Sequence, residues 1–230
     1  MTKATLYYDI VSPWSFMAYT ILKRYRQPWD MQLELRPMFL GGVMQASGNK
    51  PPITVKNKGI WMNGSDLPLA FDYMKIEHTF PKQFPINTIN IMRALRAVQE
   101  IAPEKLEKAT DAFYAAFWQP KPSDPSAMEA VKPDAFPKIL SANGLFSEAE
   151  IKRIAEAMNS DKIKNLVKEE SAKLVADGGA FGFPWIVVSR DDGQERSFFG
   201  ADRFEQIAYW LGKEWQGPLA NKSKRPMPKL

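Results

Sequence analysis

Two serines lie three residues apart near the start of the chain, in the sequence S-P-W-S that begins at Ser12 and ends at Ser15. The preceding residues 4–10 are rich in β-branched and aromatic side chains, which predicts a buried strand. Ser is a favoured helix N-cap and Pro a favoured first helical residue. Apolar side chains then recur at helical spacing as far as Tyr25. The pattern predicts a strand, a tight turn and a helix that begins at Ser12.

This turn suits the binding of a thiolate. Thiol oxidoreductases carry a C-x-x-C pair at such a turn, and here Ser12 and Ser15 occupy both cysteine positions. A hydroxyl cannot exchange disulfides, but it donates a hydrogen bond to a thiolate that a ligand supplies, at a helix end that favours anions. Lowering a thiol pKa by two units takes about 2.7 kcal/mol, and a hydrogen bond to a charged group supplies about 1.5–3 kcal/mol. Ser12 therefore either stabilises a ligand thiolate or serves only as the helix cap.

Two further signals lie near the end of the chain. Pro184 stands directly before the apolar run 185–188, where a proline cannot donate a ladder hydrogen bond. A cis bond between Phe183 and Pro184 would resolve this conflict, and an ordinary turn proline is the alternative. Farther along, Asp202 lies in a predicted strand-to-helix turn, either as the N-cap of the last helix or as the partner of a ligand amine.

The order of predicted elements places these signals in an α/β fold. A strand, a helix and a second strand at 31–36 open the chain, and two strands and a helix close it. Residues 41–65 are rich in Gly, Asn, Lys and Pro and predict a loop. From about 66 to 176 the apolar spacing is mostly helical, with a capping-box sequence at Ser147.

This order is that of a thioredoxin-like domain with a large inserted all-helical domain. The domain boundaries are predicted as follows: residues 1–60 and 178–220 for the discontinuous thioredoxin-like domain, 61–177 for the helical insertion, and 221–230 for a basic C-terminal tail.

Composition excludes several classes of function. The chain has no cysteine, which rules out disulfides, thiolate metal sites and a cysteine nucleophile, and we expect no metal. The net charge of +5 is concentrated partly in the tail, and no nucleic-acid motif or membrane-spanning run is present, so neither partner is expected. A serine hydrolase is disfavoured, because His78 is the only histidine and no G-x-S-x-G motif occurs.

Several stretches together make the chain resemble the kappa-class glutathione transferases over nearly its whole length. The matching stretches are Y-Y-D-I-V-S-P-W-S-F, L-E-L-R-P, S-G-N-K-P-P, K-G-I-W-M, G-A-F-G-F-P and F-F-G-A-D-R-F. The resemblance implies a thioredoxin-like fold with a helical insertion, a homodimer, and glutathione as the cosubstrate that attacks small hydrophobic electrophiles or peroxides.

The resemblance also implies roles for particular residues. It places the thiolate-stabilising hydroxyl on Ser12 and recognition of the peptide backbone at Phe183, before cis-Pro184. The remaining positions that match glutathione-binding positions are Asn49, Lys58, Ala201 and Asp202, of which Asp202 matches the one that holds the γ-glutamyl amine. The chain departs from the family pattern at Trp14, where tyrosine is usual, and at Ala201, where serine is common.

Other functions stay open on the sequence. A glutathione-dependent 2-hydroxychromene-2-carboxylate isomerase shares the fold and the serine, and a non-enzymatic peptide-binding or chaperone module would need only the peptide groove. The electrophile is expected in a pocket lined by Trp14, Trp61 and Phe84. The terminal Pro228-Lys229-Leu230 fits a loose form of the peroxisomal S-K-L signal, so we expect a peroxisomal location, with the cytoplasm or mitochondrion as alternatives.

Overall fold

The computed structural model describes residues 1–120, 127–132, 134–141 and 144–220, and in these ranges a four-stranded mixed sheet is flanked by helices. The strands are β1 (Thr2–Tyr8), β2 (Met31–Pro37), β3 (Trp185–Ser189) and β4 (Glu195–Phe199). The helices are α1 (Pro13–Tyr25), α2 (Leu40–Ser47), α3 (Lys56–Trp61), α4 (Leu67–Met74), α5 (Ile89–Ile101), α6 (Leu106–Trp118), α7 (Ala127–Ala130), α8 (Phe136–Ser141), α9 (Glu148–Asn159), α10 (Asp161–Ala176) and α11 (Phe204–Leu211).

The sheet has the strand order β2-β1-β3-β4. β1 and β2 are parallel because the helix α1 crosses over between them, whereas β3 pairs antiparallel with both β1 and β4. Leu6 stands at the centre of the sheet, opposite Leu35 on one side and Ile186 on the other. The sheet thus places the carboxyl end of β1, where the serine turn begins, beside the amino end of β3, where Pro184 stands.

The predicted thioredoxin-like topology is confirmed, and so are the long helices between its two halves. The helix α9 begins with the predicted capping box, in which Ser147 and Glu150 each bond the other's backbone N–H. The helix α5 buries one apolar face, which includes Ile91, Leu95 and Val98. One hydrophobic core runs from the sheet into this helical segment without a break. The exact domain boundaries stay a prediction.

The prediction of a loop over residues 41–65 is wrong. This segment contains most of α2, the short α3, a 3₁₀ turn at Pro52–Thr54 and a π-helical turn at Met62–Asp66. Tertiary contacts stabilise these helices despite their weak intrinsic propensity. Val43 is fully buried in a second apolar cluster, and a Cβ at Gly41 would lie 2.7 Å from the Phe39 ring, which explains a glycine inside a helix.

Among the described residues, no helix is long and apolar enough to cross a membrane. The basic tail 221–230, with Pro228-Lys229-Leu230, lies outside the described residues, so the peroxisomal signal stays a prediction.

Candidate functional site

Ser12 is the N-cap of α1, and its side chain makes two hydrogen bonds. Its Oγ accepts from the Ser15 N–H at 3.1 Å and donates to the Phe183 carbonyl at 3.3 Å. Pro13 follows as the first helical residue, as the sequence predicts. In the described part of the chain no acceptor binds the Trp14 N–H, so one backbone donor at this helix end is free. The turn therefore presents a hydroxyl and an N–H group at the positive end of a helix dipole.

The Phe183–Pro184 peptide bond is cis, as predicted. It carries the Phe183 carbonyl to the Ser12 hydroxyl, although the two residues lie 171 positions apart in sequence. The Pro184 carbonyl accepts from the Gly200 N–H at 3.1 Å, which continues the pairing of β3 with β4. The cis-proline loop thus faces the amino end of α1.

Asn49 lies next to the same loop. Its Nδ2 donates to the Phe181 carbonyl at 2.7 Å, and its Oδ1 accepts from the Lys50 N–H at 2.8 Å. Asn49 is exposed, directly after α2 and the left-handed Gly48. The structure thereby brings Ser12, Phe183 and Asn49 to one edge of the molecule.

The turn from β4 to α11 also reaches this edge, but its cap differs from the prediction. Asp202 does not cap α11: the N-cap is Arg203, which has no side-chain capping bond, and the Asp202 carboxylate pairs with the Arg203 guanidinium instead. Gly200 has φ +94°, and a side chain there would place its Cβ 2.6 Å from Asp202 Oδ1. Ala201 is buried, whereas Asp202 is exposed. The carboxylate is thus held at the surface rather than turned onto its own helix.

A cavity of about 390 Å³ lies between this turn and α4. Trp14, Ala201 and Asp202 line it on one side, and Asp66 and Tyr73 line it on the other. Burial and the nearby Asp202 carboxylate both raise the pKa of Asp66. A cavity of this size and mixed lining fits a small organic ligand that bears a cationic group.

Of the predicted site residues, Trp14, Ala201 and Asp202 line this cavity. The other seven do not line it: Ser12, Asn49, Lys58, Trp61, Phe84, Phe183 and Pro184. Lys58 and Trp61 lie on α3 and are exposed, and Lys58 forms no ion pair with another described residue. Phe84 packs on Trp118 with ring centroids 6.0 Å apart, and the Trp118 indole N–H donates to the Ile10 carbonyl at 2.7 Å. Phe84 therefore contacts the serine turn through Trp118. A role of Lys58, Trp61 and Phe84 in ligand binding stays a prediction.

Asp9 is a buried residue of the site that the sequence did not single out. It is fully buried, and its carboxylate accepts from the Val11 N–H at 3.0 Å, the Thr88 hydroxyl at 2.6 Å and the Leu40 N–H at 2.8 Å. Burial raises its pKa to about 6, against the effect of these three hydrogen bonds. The turn toward Val11 ends β1 at Tyr8, two residues before the predicted end of the strand.

The described residues contain no group of three or more His, Cys, Asp or Glu side chains placed to hold a metal ion. His78 stacks on Phe71 with ring centroids 3.7 Å apart and is exposed. The chemistry that the site offers is the stabilisation of an anion by donors at a helix end.

Comparisons with known proteins identify the family of this chain. A family model described as DSBA-like thioredoxin domain matches residues 4–212. Glutathione S-transferase kappa 1 of Homo sapiens is 36% identical over 221 residues, which cover 93% of this chain and 92% of that protein. This chain belongs to the kappa-class glutathione S-transferase family. A second member, glutathione S-transferase kappa 1 of Rattus norvegicus, is 33% identical over the same shares of both chains.

Solved structures show that the fold of this kappa-class chain is shared more widely. A 2-hydroxychromene-2-carboxylate isomerase superposes with a TM-score of 0.69 at 17% identity, over 91% of this chain and 94% of its own. A probable DsbA oxidoreductase from Streptomyces coelicolor gives 0.64 at 16% identity, over 100% and 94%. At these identities the likeness concerns the fold alone.

Proposed function

We propose that this protein is a glutathione transferase that holds the glutathione thiol as a thiolate at Ser12 and directs it at small electrophiles or peroxides. The observation that carries the proposal is the Ser12 hydroxyl, at the amino end of α1 and 3.3 Å from the Phe183 carbonyl of the cis-proline loop. Membership of the kappa-class family supports the same reaction class.

The hydrogen bonds of Ser12 suit this task. The hydroxyl has one proton, and in the structure that proton goes to a neutral carbonyl over the long distance of 3.3 Å. A thiolate is a charged acceptor and forms a stronger bond with the same donor. When the Ser12 proton moves from the carbonyl to the thiolate, the Ser12 oxygen still accepts a hydrogen bond from the Ser15 N–H. This bond keeps the oxygen in place while the hydroxyl rotates. The free Trp14 N–H adds a second donor.

The reaction then follows from the thiolate. Its sulfur forms a bond to the electrophilic carbon, and the leaving group departs with the bonding electron pair. Ser12 acts only as a hydrogen-bond donor to the negative charge on the sulfur. It keeps its proton throughout and forms no covalent bond. The gain is in the thiolate fraction at neutral pH, which rises up to about tenfold for each unit by which the thiol pKa falls, as long as that pKa stays above the pH of the solution.

Other residues hold the rest of the tripeptide in this proposal. The backbone of Phe183 pairs with the cysteinyl unit, as a strand edge pairs with a peptide. Asp202 receives the γ-glutamyl ammonium, and the turn N–H groups beside Ala201 receive its carboxylate. Asn49 and Lys58 hold the other end of the tripeptide in this proposal.

Calorimetric titration with glutathione tests binding, and the conjugation of 1-chloro-2,4-dinitrobenzene tests catalysis. We expect saturable binding below millimolar concentration and a conjugation rate that saturates with glutathione. The matched control is Asp202→Asn, which removes the charge that faces the ammonium. It should raise the KM for glutathione and leave the pKa of the bound thiol unchanged. No heat of binding at millimolar glutathione would overturn the proposal.

The same assay separates the other functions. Halogenated aromatics, peroxides and 2-hydroxychromene-2-carboxylate are offered in parallel with glutathione present. Turnover of the chromene alone would favour the isomerase, and binding of extended peptides without any turnover would favour a non-enzymatic module.

A further inference from the structure

One buried carboxylate connects the parts of the site. The Asp9 side chain is fully buried, and the three groups that donate to it come from three different segments. The Val11 N–H belongs to the turn that leads into α1. The Leu40 N–H is the first of α2, and Thr88 precedes the first residue of α5.

The amino ends of three helices therefore converge on Asp9. Helix amino ends carry partial positive charge and free N–H groups, so they stabilise this buried carboxylate, which pairs with no cation among the described residues. The helix α2 has no side-chain cap of its own, and Asp9 supplies the acceptor for its first N–H group. The neighbouring titratable groups are the phenols of Tyr8 and Tyr114, whose pKa values burial raises, so both stay neutral.

The bonds of Asp9 bear directly on Ser12. The Asp9 carboxylate binds the Val11 N–H while the Asp9 carbonyl accepts from the Ser12 N–H at 3.1 Å. Together these two bonds close the turn that aims the Ser12 hydroxyl. The bond to Leu40 fixes the start of α2, the helix after which Asn49 stands.

We propose that Asp9 is the positioning residue of this site: its buried carboxylate fixes the turn at Ser12 against α2 and α5, so that the hydroxyl meets the glutathione thiolate. The inference rests on the proposed function and adds to it a residue that touches neither glutathione nor the electrophile. It implies that the effect of Asp9 on the thiol passes through Ser12.

Removing the Asp9 carboxylate changes the pKa of the bound thiol in opposite directions, depending on whether Asp9 acts through its charge or by positioning Ser12. The two roles can therefore be distinguished. If Asp9 acted through its charge alone, removing a buried negative charge would lower the pKa of a nearby thiol. If Asp9 positions Ser12, the same change displaces the hydroxyl and raises the thiol pKa. If Asp9 only supports the fold, the thiol pKa does not move.

The experiment compares Asp9→Asn in two backgrounds. The amide keeps the size of the side chain but turns an NH₂ group toward a backbone N–H or a hydroxyl donor. The pKa of enzyme-bound glutathione is measured from thiolate absorbance near 240 nm in the wild type, Asp9→Asn, Ser12→Ala and the double variant. We expect Asp9→Asn to raise the thiol pKa by about one unit, which lowers the ionisation constant of the bound thiol about tenfold. We expect no further rise when Ser12 is already alanine, because the two residues then act as one unit.

Thr88 supplies a milder pair of variants if Asp9→Asn folds poorly. Thr88→Val removes one donor to the carboxylate at nearly constant volume, and Thr88→Ser keeps it. Thr88→Val should raise the thiol pKa and Thr88→Ser should leave it as in the wild type. An unchanged or lowered thiol pKa in both Asp9→Asn and Thr88→Val, in a wild type that binds thiolate, would overturn the role of Asp9 alone. A wild type that binds no glutathione would overturn the proposed function and this inference together.

Discussion

At the scale of single residues, the site depends on a hydroxyl in place of a thiol. Ser12 keeps the position that a reactive cysteine takes in thiol oxidoreductases, but it cannot form a disulfide. Its hydroxyl donates to the Phe183 carbonyl in the structure and is free to donate to an anion instead. Ser15 differs, because its Oγ is buried without a hydrogen-bond partner among the described residues. The two serines of the motif therefore have unequal roles.

Replacing Ser12 by alanine tests whether Ser12, rather than Ser15, stabilises the thiolate. We expect Ser12→Ala to raise the pKa of bound glutathione by one to two units, since one charge-assisted hydrogen bond contributes about 1.5–3 kcal/mol. Glutathione affinity should change much less, because the contacts along the peptide remain. The measurement is the thiolate absorbance near 240 nm as a function of pH.

Ser15→Ala is the matched control for Ser12→Ala. Its hydroxyl makes no bond in the described structure, so the thiol pKa should stay within a few tenths of a unit of the wild type. Identical titrations of Ser12→Ala and the wild type would show that Ser12 serves only as a helix cap.

At the scale of elements, the features that depend on neighbouring residues, such as helix caps, were predicted from the sequence. The helix α2, which depends on packing against distant residues, was missed. The caps of α1 and α9 were predicted from serines whose side chains do cap these helices. For Pro184, at the start of a core strand, the sequence left a cis bond and an ordinary turn as alternatives, the family resemblance implied the cis bond, and the structure has it. By contrast, α2 holds Gly41 in its first turn and is stabilised by Asp9 and by burial of Val43, which composition does not reveal.

The candidate site shows the same division. Ser12 was predicted from its motif, whereas Phe183 and Asn49 were implied by the family resemblance, and the structure brings all three to the cis-proline loop. Asp9 was missed because two of its three partners, Leu40 and Thr88, come from distant segments, and Val11 is the near one. A buried carboxylate at a strand end is a usable signal, since an unpaired charge in the core would be very costly.

The capping box of α9 gives a prediction at this scale. We expect Ser147→Ala to lower the free energy of unfolding by about 1 kcal/mol, because the Glu150 N–H loses the side-chain oxygen that caps it, while the bond from the backbone N–H of residue 147 to the Glu150 carboxylate remains possible. Urea denaturation at pH 7 measures the change. Ser141→Ala, at the end of α8, is the control and should be neutral within about 0.5 kcal/mol. Equal stability of both variants would contradict the role of the box.

At the scale of the whole molecule, family resemblance leads us to predict a homodimer. Several large apolar side chains are exposed along α3, α4 and the turn before them, which is consistent with a surface that another chain covers. They are Val55, Ile60, Trp61, Leu69 and Tyr73. Light scattering at micromolar concentration should give the mass of two chains, and a single-chain mass would refute the prediction.

At low pH, protonation of the buried Asp9 and protonation of the surface carboxylate Glu150 should change the stability of the whole fold in opposite directions. The Lys105 ammonium first, and then the Ser147 N–H, lower the pKa of Glu150 to about 2, so its contribution to stability is lost only as the pH falls toward that value. Burial instead raises the pKa of Asp9 to about 6. Its contribution is fully present below its unfolded pKa of about 3.9 and is lost as the pH rises through 6.

The wild type should therefore gain stability relative to Asp9→Asn as the pH falls from 7 to 4. A shift of about two pKa units corresponds to about 2–3 kcal/mol over this range. Urea denaturation of both proteins at several pH values measures the difference, in which the shared surface carboxylates cancel. The control is Ser141→Ala at the end of α8, which changes no ionisable group, so its difference from the wild type should stay constant with pH. A constant difference for Asp9→Asn as well would mean that the buried carboxylate titrates like an exposed one, against the three-helix environment that the structure gives it.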